Sequence, residues 1–325
     1  MDKGLAEGGF YRFQVGQATK GGLAHPKPLM ESKVPSATRK RFYRLGAGVN
    51  LLQKIGTGIL DFLSFLPYFK GKGLIALQTL RIFGRSQPLT MRLPNGSRIW
   101  VGNDHAGHAV LPYCIGKYER EFTLLFLRFL NRLGPGDSVV DLGANVGYYS
   151  VMAAWHLRRF PKSWVFAFEP NPQAFSYLVQ NKELNCLSNL VVFQQAIGDQ
   201  EGRIKLYINP GGITFGSLQP YLAHLTQVCE VSMSTLDKLL QQYPDTRIAL
   251  IKMDIEGAEL FALRGAVEIL NTFRPVIFYE ENEAACAAFG YNVKDLRNFL
   301  RELGYRFEFM KPSDVQNVIA IPGGS

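Results

Sequence analysis

The chain has few cysteines and no clustered metal ligands. Its four cysteines are far apart and form no C-x-x-C pair or Cys/His cluster. This spacing argues against structural zinc and against a disulfide framework, and it is typical of a protein in the reducing cytoplasm. Residues 1–30 lack an apolar core of the length that a secretory signal needs. The sequence therefore predicts a cytoplasmic protein.

The sequence also lacks the glycine-rich motifs that bind phosphates. It contains no G-x-G-x-x-G dinucleotide motif and no G-x-x-x-x-G-K-[ST] P-loop. The nearest match begins at Gly143, but Asn145 takes the place of the second glycine and Gly147 is out of register. These differences argue against a nicotinamide oxidoreductase. A ligand without a pyrophosphate, such as S-adenosylmethionine, fits this turn better.

No apolar run is long enough to cross a bilayer. The longest candidate, residues 59–69, contains Asp61 and is followed by Lys70 and Lys72. Charge is uneven, because residues 1–90 carry 14 Lys/Arg and 4 Asp/Glu, whereas the remainder carries 22 and 23. The basic excess is thus confined to the amino-terminal part, and the rest has no recognisable nucleic-acid-binding module. We therefore expect no nucleic-acid partner.

The sequence predicts three segments. Residues 1–41 form a flexible basic leader, residues 42–85 an amphipathic helical extension, and residues 86–325 the main domain, which begins with a hairpin over 88–101 around Asn95-Gly96. The favoured interpretation of residues 42–83 is that they pack on the main domain or on a partner subunit. The alternative is peripheral docking on an anionic membrane or a lipid-linked substrate, as in a non-catalytic membrane adaptor.

Residues 139–149 read V-V-D-L-G-A-N-V-G-Y-Y and predict a buried strand that turns sharply into a helix. Asp141 ends the strand, where open α/β sheets bind their ligands. Gly143 is expected where a side chain would collide with a bound molecule, and Gly147 where the helix packs closely on the sheet. The sequence therefore predicts a ligand-binding turn here.

A second apolar run, residues 164–169, also ends in a carboxylate. Glu169 is followed by P-N-P, in which Asn171 is predicted to cap the next helix. Glu169 lies 26 residues after Gly143, one α/β unit further on, where an acid can accept hydrogen bonds from both ribose hydroxyls. A solvated carboxylate at a helix start is the alternative. The pairing with Asp141 favours the ribose role.

Strand and helix patterns then alternate along the chain. The last two predicted strands are joined by residues 311–314, and so short a link permits only an antiparallel pair. The pattern predicts an α/β, Rossmann-like fold with a mostly parallel sheet and an antiparallel strand at its end. The predicted strands cover 190–197, 203–209, 228–233, 248–254, 275–280, 305–310 and 315–321, and the predicted helices cover 118–133, 172–184, 258–270 and 293–303.

Charged residues crowd the end of the predicted strand 248–254. A buried Lys252 needs a counter-charge, which Glu280 can supply if its strand is the neighbour. Asp254 is a candidate to hold a cofactor's amino group or to remove an acceptor's proton, and Lys252 to tune that acid or stabilise an oxyanion. A structural ion pair, with Glu256 and Glu259 at a helix start, is the alternative.

Two further alternatives concern the same region. A divalent metal on Asp254 and Glu280 is disfavoured, because no second His or Asp stands at ligand spacing. Residues 211–224 are predicted to form a glycine-containing lid over the acceptor. His224 within them is an alternative base, although a surface histidine is favoured.

These motifs together resemble the FkbM family of S-adenosylmethionine-dependent O-methyltransferases. The resemblance is carried by V-V-D-L-G-A-N-V-G-Y-Y, F-E-P-N-P, A-I-G-D, S-T-L-D-K-L-L, K-M-D-I-E-G-A-E and V-I-F-Y-E, and it runs from about Tyr118 to the carboxyl end. It implies a seven-stranded Rossmann-like domain that methylates a hydroxyl of a sugar, glycolipid or natural product. It implies a donor site at Glu119, Asp141, Gly143, Asn145, Gly147, Glu169 and Pro170, with Ala196 near the adenine. Asp254, Lys252, Glu256 and Glu280 would border the reacting groups.

Overall fold

The computed structural model describes residues 51–84, 88–101, 111–116, 119–209, 216–223, 225–310 and 316–323, all within one compact unit. The predicted leader, Tyr118, and residues 211–215 and His224 of the predicted lid lie outside the described residues. The helices are α1 Leu51–Phe65, α2 Lys72–Phe83, α3 Arg120–Leu130, α4 Tyr148–Leu157, α5 Pro172–Leu184, α6 Leu236–Leu240, α7 Glu259–Arg264, α8 Val267–Phe273, α9 Glu283–Ala288 and α10 Val293–Glu302. The strands are β1 Leu89–Arg92, β2 Arg98–Val101, β3 Asp137–Leu142, β4 Val165–Phe168, β5 Leu190–Phe193, β6 Ala196–Ile197, β7 Gly202–Ile208, β8 Gly216–Ser217, β9 Gln227–Ser234, β10 Arg247–Met253, β11 Val276–Glu281, β12 Tyr305–Phe309 and β13 Gln316–Pro322.

The centre of the fold is a seven-stranded sheet in the order β12-β13-β11-β10-β3-β4-β5. The neighbours from β11 to β5 pair in parallel. Alternate side chains enter two apolar cores on opposite faces, so that Phe278 belongs to one core and Tyr279 to the other. The prediction of a mostly parallel α/β sheet is confirmed.

The predicted position of the antiparallel strand at the end of the sheet is wrong. Strand β13 is the antiparallel one, but it lies between β11 and β12, and β12 forms the edge. The crossover through α10 places β12 parallel to β11 with a gap between them, and the hairpin return of β13 fills this gap. A short link therefore specified the antiparallel pairing of the last two strands but not their order.

A second, four-stranded sheet contains the predicted strands 203–209 and 228–233, as β7 and β9. Its order is β6-β9-β7-β8. The predicted strand 190–197 divides between the sheets, because β5 pairs with β4 whereas β6 pairs with β9. The predicted helix 258–270 is also divided, into α7 and α8. At the break, a Cβ on Gly265 would lie 2.0 Å from the carbonyl oxygen of Gly198, so close approach of the second sheet leaves no room for a side chain.

Residues 51–84 form two helices that pack on the hairpin of β1 and β2. Helix α1 ends two residues before Pro67, which cannot continue a helix, and α2 starts just after Gly71. Leu60, Leu63 and Leu80 are buried in the same core as the main domain. Among the described residues, no helix is both long and apolar enough to pass through a bilayer.

Lys72 joins this helical pair to the rest of the fold. Its side chain is 1% exposed, and Nζ donates to the carbonyl oxygens of Leu66 and Ile115, each at 2.7 Å. Burial, with a smaller contribution from the Arg120 charge, lowers the pKa of this amine. The ammonium therefore connects the loop after α1 with residues 111–116.

We expect Lys72→Met to lower the free energy of unfolding by about 1–3 kcal/mol, because two buried carbonyls lose a charged donor while the aliphatic stem is kept. Urea unfolding of the full chain measures the change. Lys70→Met is the matched control, because Lys70 is exposed. Equal losses in the two variants would contradict a structural role for the buried amine.

Candidate active site

The carboxyl ends of β3, β4, β10 and β11 meet at one edge of the main sheet, beside a cleft of about 810 Å³. The loops after these strands line the cleft together with residues of the second sheet. Cleft-lining residues include Glu119, Gly143, Asn145, Glu169, Pro170, Ala196, Lys252, Asp254, Glu256 and Glu280. Most of the predicted site residues therefore surround one cavity, at the position where open α/β sheets bind ligands.

Asp141 lies beneath this cleft and is 1% exposed. Its Oδ2 accepts a hydrogen bond from Ser150 Oγ at 2.5 Å, whereas its buried Oδ1 accepts none among the described residues. Burial raises the pKa of the carboxyl group, and the nearby Lys252 charge opposes that rise. Ser150 on the first turn of α4 was not predicted, although it stands nine residues after Asp141 on the helix that the turn opens.

Gly143 and Gly147 are required by the protein itself. Gly143 has φ 75°, and a Cβ there would lie 1.9 Å from the carbonyl oxygen of Asp254. Gly147 has φ 96°, and a Cβ would lie 2.7 Å from Leu178 Cδ1. The predicted packing of Gly147 on the sheet is therefore wrong, because its Cβ would meet α5, whereas the collision of a side chain at Gly143 with a ligand stays a prediction. The glycines allow close contact with the loop after β10 and with α5.

Glu169 organises the turn beside Asp141. Its Oε2 accepts from the backbone N–H of Asn145 at 2.7 Å, and its Oε1 accepts from that of Asn171 at 2.8 Å. Asn145 has φ 50°, so its amide can turn toward the carboxylate. Burial raises the pKa of Glu169 to about 7, although both amide hydrogen bonds oppose the rise. Each carboxylate oxygen retains a free lone pair for a ligand hydroxyl.

Lys252 lies opposite Asp141 on the neighbouring strand and is 4% exposed. Its Nζ is 3.4 Å from Asp254 Oδ2 and 3.9 Å from Asp141 Oδ1. Burial favours the neutral amine, but these carboxylates and Glu119 outweigh it and hold the pKa of Lys252 above its usual value. The prediction that Glu280 supplies the counter-charge is wrong, because Lys252 is level with Phe278 on β11, two residues before Glu280.

Glu280 instead lines the cleft with Asp254 and Glu256 and interacts with their charges. Burial, followed by the charges of Asp254 and Glu256, raises the pKa of Glu280 to about 9. Burial and the Asp254 charge raise the pKa of Glu256 to about 7. Like charges in one partly dehydrated site disfavour simultaneous ionisation. We call Asp254, Glu256 and Glu280 the carboxyl cluster; within it, burial and neighbouring charges hold the pKa values of Glu256 and Glu280 above the ordinary carboxyl range.

Tyrosines contact the acids around the cleft. The hydroxyl of Tyr149 donates to Glu119 Oε2 at 2.8 Å, and the hydroxyl of Tyr221 donates to Glu256. Glu119 also has a pKa above its usual value because of burial and the Asp254 charge. Tyr149 was quoted only as part of a motif and Tyr221 was not predicted. Tyr221 lies within the predicted lid, in the loop between β8 and β9, so no strand pattern indicates its partner.

Glu259 contributes to structure and borders the cleft loop. It is 3% exposed, and its Oε1 accepts from the N–H of Ile255 at 3.1 Å. Burial raises its pKa to about 7. This contact agrees with the alternative in which Glu259 serves a helix start. In the part of the chain that the structure describes, no group of three or more His, Cys, Asp or Glu side chains is arranged to hold a metal ion.

The methyltransferase FkbM domain model matches residues 141–307, which cover half of the sequence and all of the strand ends described above. The chain belongs to the FkbM methyltransferase family. Its matched part is a methyltransferase domain, whose methyl donor is S-adenosylmethionine. This finding confirms the family resemblance drawn from the sequence motifs.

Two curated relatives show the extent of the similarity. The chain is 30% identical over 188 residues to 31-O-demethyl-FK506 methyltransferase FkbM of Streptomyces tacrolimicus, covering 55% of this chain and 68% of that protein. It is 30% identical over 150 residues to methyltransferase 1 of Beauveria bassiana, covering 40% of this chain and 59% of that protein. A solved FkbM methyltransferase from Methylobacillus flagellatus is 18% identical, with a TM-score of 0.43, covering 77% of this chain and 59% of that one.

The residues present fit S-adenosylmethionine chemically. Its ribose offers two hydroxyl donors, and the free lone pairs of Glu169 are acceptors at the turn after β3. Its sulfonium and ammonium groups are cations, and the cleft is lined by the acids Glu119, Asp254, Glu256 and Glu280 against two basic side chains, Arg120 and Lys252, of which Lys252 is already paired with carboxylates. An acid-rich cleft attracts a cationic ligand.

Proposed function

We propose that this protein transfers a methyl group from S-adenosylmethionine to a hydroxyl oxygen of a sugar, glycolipid or natural product. The observation that carries the proposal is the carboxyl cluster in the cleft, because carboxylates with raised pKa values, here Glu256 and Glu280, suit the removal of a hydroxyl proton. When bound, S-adenosylmethionine supplies the electrophilic methyl group. Among the relatives, one is named for a demethylated FK506, one as a 2-O-methyltransferase, and one as a hexuronic acid methyltransferase.

On the donor side, we assign Glu169 to the ribose hydroxyls. Its two backbone hydrogen bonds fix the carboxylate without using all of its lone pairs. Gly143, Asn145 and Gly147 shape the turn, with Pro170 and Ala196 along the same wall of the cleft. Asp141 acts indirectly in this assignment, because it is buried beneath the turn and holds Lys252 and Ser150 in place.

On the acceptor side, we assign proton removal to the carboxyl cluster. Glu256 and Glu280 have pKa values raised to about 7 and about 9, so each is a stronger base when ionised than an ordinary carboxylate. Lys252 pairs with Asp254 at 3.4 Å and holds that carboxylate in the cleft wall. Positioning of the hydroxyl in this cleft would contribute most of the rate acceleration.

We expect the rate of methyl transfer to rise with pH between about 6 and 9, because a general base must lose its proton to act. In Glu280→Gln the rate should fall on the order of 10²–10⁴-fold, the range that general base catalysis contributes. In this variant the rate should also stop rising with pH near the pKa of Glu256, about 7. Initial rates across this pH range measure both effects.

Glu283→Gln is the matched control for this profile, because Glu283 is an exposed carboxylate close to Glu280 in the sequence. Its profile should superimpose on that of the unmodified protein. If the rate of Glu280→Gln still rose above pH 7 as that of the unmodified protein does, Glu280 would not be the group that removes the proton, and Glu256 or Asp254 would have to do so.

The acceptor class is tested with methyl-labelled S-adenosylmethionine and three panels of compounds: neutral sugars, uronic acids and macrolides. Label should enter one hydroxyl-bearing panel as an alkali-stable methyl ether. Label in carboxylic esters or amines, with none in ethers, would contradict O-methylation of a hydroxyl while leaving the donor site intact.

A further inference from the structure

Large exposed apolar side chains are concentrated in residues 51–84. Among the described residues, ten of the fourteen such side chains lie in this short segment, although it packs firmly on the main domain by its other face. Exposed apolar patches of this kind mark interaction sites. The ten side chains lie on the helical hairpin of α1 and α2, and we call them the hairpin face: Leu51, Leu52, Ile55, Phe62, Phe65, Tyr68, Phe69, Leu74, Ile75 and Ile82.

The hairpin face forms a continuous stripe along α1. Leu51, Ile55, Phe62 and Phe65 follow the spacing i, i+4, i+11 and i+14, which places them on one side of a helix. Phe62 and Phe65 are 64% and 69% exposed, whereas Leu60 on the opposite side is fully buried. The helix is therefore apolar on both sides, and the main domain covers only one of them.

The stripe continues through the connecting loop into α2. Tyr68 and Phe69 are exposed in the loop, and Leu74, Ile75 and Ile82 are exposed on α2. Basic side chains border this surface, with Lys54 on α1, Lys70 in the loop and Arg81 near the end of α2, all exposed.

The charges around the hairpin face distinguish between two possible partners, a second copy of this chain and an anionic lipid membrane. Asp61 is the only acid between residues 51 and 84 in the sequence, and Arg98 pairs with it. In a symmetric dimer formed through this face, Lys54 and Lys70 of one copy would lie near the same two lysines of the other copy, and their like charges would repel. Anionic lipid headgroups would instead neutralise them. Residues 1–50 add nine Lys/Arg against three Asp/Glu, which favours the same kind of partner.

We propose that the hairpin face docks the protein on an anionic lipid membrane. The apolar stripe enters the boundary between headgroups and acyl chains, and the bordering lysines contact the headgroup phosphates and carboxylates. The ammonium of Lys72 donates a hydrogen bond to the carbonyl oxygen of Ile115, and Tyr113, two residues before Ile115, lines the cleft. The helices that carry the hairpin face are therefore attached to the domain that contains the cleft. The proposal does not depend on the identity of the methyl acceptor.

Flotation of the full-length protein with vesicles tests the docking surface. One set contains phosphatidylcholine with phosphatidylserine, and the other contains phosphatidylcholine alone. We expect binding to the mixed vesicles that salt weakens and that the double variant Phe62→Ser with Phe65→Ser reduces on the order of tenfold or more. Phe309→Ser is the control, because Phe309 is 52% exposed on the edge strand β12. It should bind as the unmodified protein does.

Charge-reversal variants distinguish electrostatic docking from non-specific adsorption to lipid. Lys54→Glu with Lys70→Glu should weaken the preference for the mixed vesicles, to which Arg81 and the basic residues 1–50 still contribute, while thermal unfolding stays unchanged. Equal binding to neutral and mixed vesicles would overturn the assignment to anionic lipid. A dimer by light scattering that Phe62→Ser with Phe65→Ser dissociates, without vesicle binding, would overturn it in favour of a second copy.

Discussion

Replacement of Glu169 by alanine should weaken binding of S-adenosylhomocysteine, the demethylated donor, by on the order of 100-fold. The variant removes the acceptor assigned to two ribose hydroxyls, and hydrogen bonds to a charged group contribute about 1.5–3 kcal/mol each. Isothermal titration calorimetry of the full chain measures the change. Glu183→Ala is the matched control, because Glu183 is exposed at the end of α5 and should leave the affinity unchanged.

The pH dependence distinguishes ligand recognition from a structural role for Glu169. Its pKa is raised to about 7 by burial, and the ionised form accepts the ribose hydrogen bonds. Affinity should therefore rise as pH increases through about 7, and Glu169→Ala should lose this dependence. A weakened affinity that retains the same pH profile would assign Glu169 to the shape of the turn alone.

Gly143→Ala should have the largest effect on stability, lowering the free energy of unfolding by more than about 4 kcal/mol. The new Cβ would lie 1.9 Å from a backbone oxygen, and φ 75° is unfavourable for alanine. The variant should also lose donor binding, because relief of the clash must displace Asp254 from the cleft. Chemical denaturation and calorimetry measure the two losses.

Gly134→Ala is the control for that substitution. A Cβ on Gly134 meets no atom within 4 Å, so the same chemical change should alter stability by less than about 0.5 kcal/mol. If Gly143→Ala were as stable as Gly134→Ala, the turn would have to be able to move away from the loop after β10, contrary to the packing described here.

Much of the donor side follows from local sequence. Each of the two apolar runs around Asp141 and Glu169 ends in an acid, and parallel pairing of consecutive strands brings such ends together. The helix cap at Asn171 follows from one residue type at one position, and its side chain accepts from Gln173 N at 3.0 Å. Strand type and capping are local properties, so a sequence pattern carries them.

The features that local sequence did not predict depend on contacts between segments that are far apart in the chain, such as the pairing and register of strands. Lys252 meets Asp141 because β10 pairs with β3 in one alignment, and the two residues are far apart in the chain. The helix break at Gly265 depends on the approach of Gly198, which directly follows β6 of the other sheet. A single-sequence pattern contains no information on which of several apolar strands become neighbours. The same reason explains the misplaced antiparallel strand.

The central claim is that the acidic cleft at the strand ends binds S-adenosylmethionine, and calorimetric titration of the full-length protein tests it most directly. We predict saturable, one-to-one binding of S-adenosylmethionine and of S-adenosylhomocysteine, with no heat from NAD at the same concentrations. The absence of binding to protein that unfolds cooperatively, or saturable binding of NAD instead, would contradict the account.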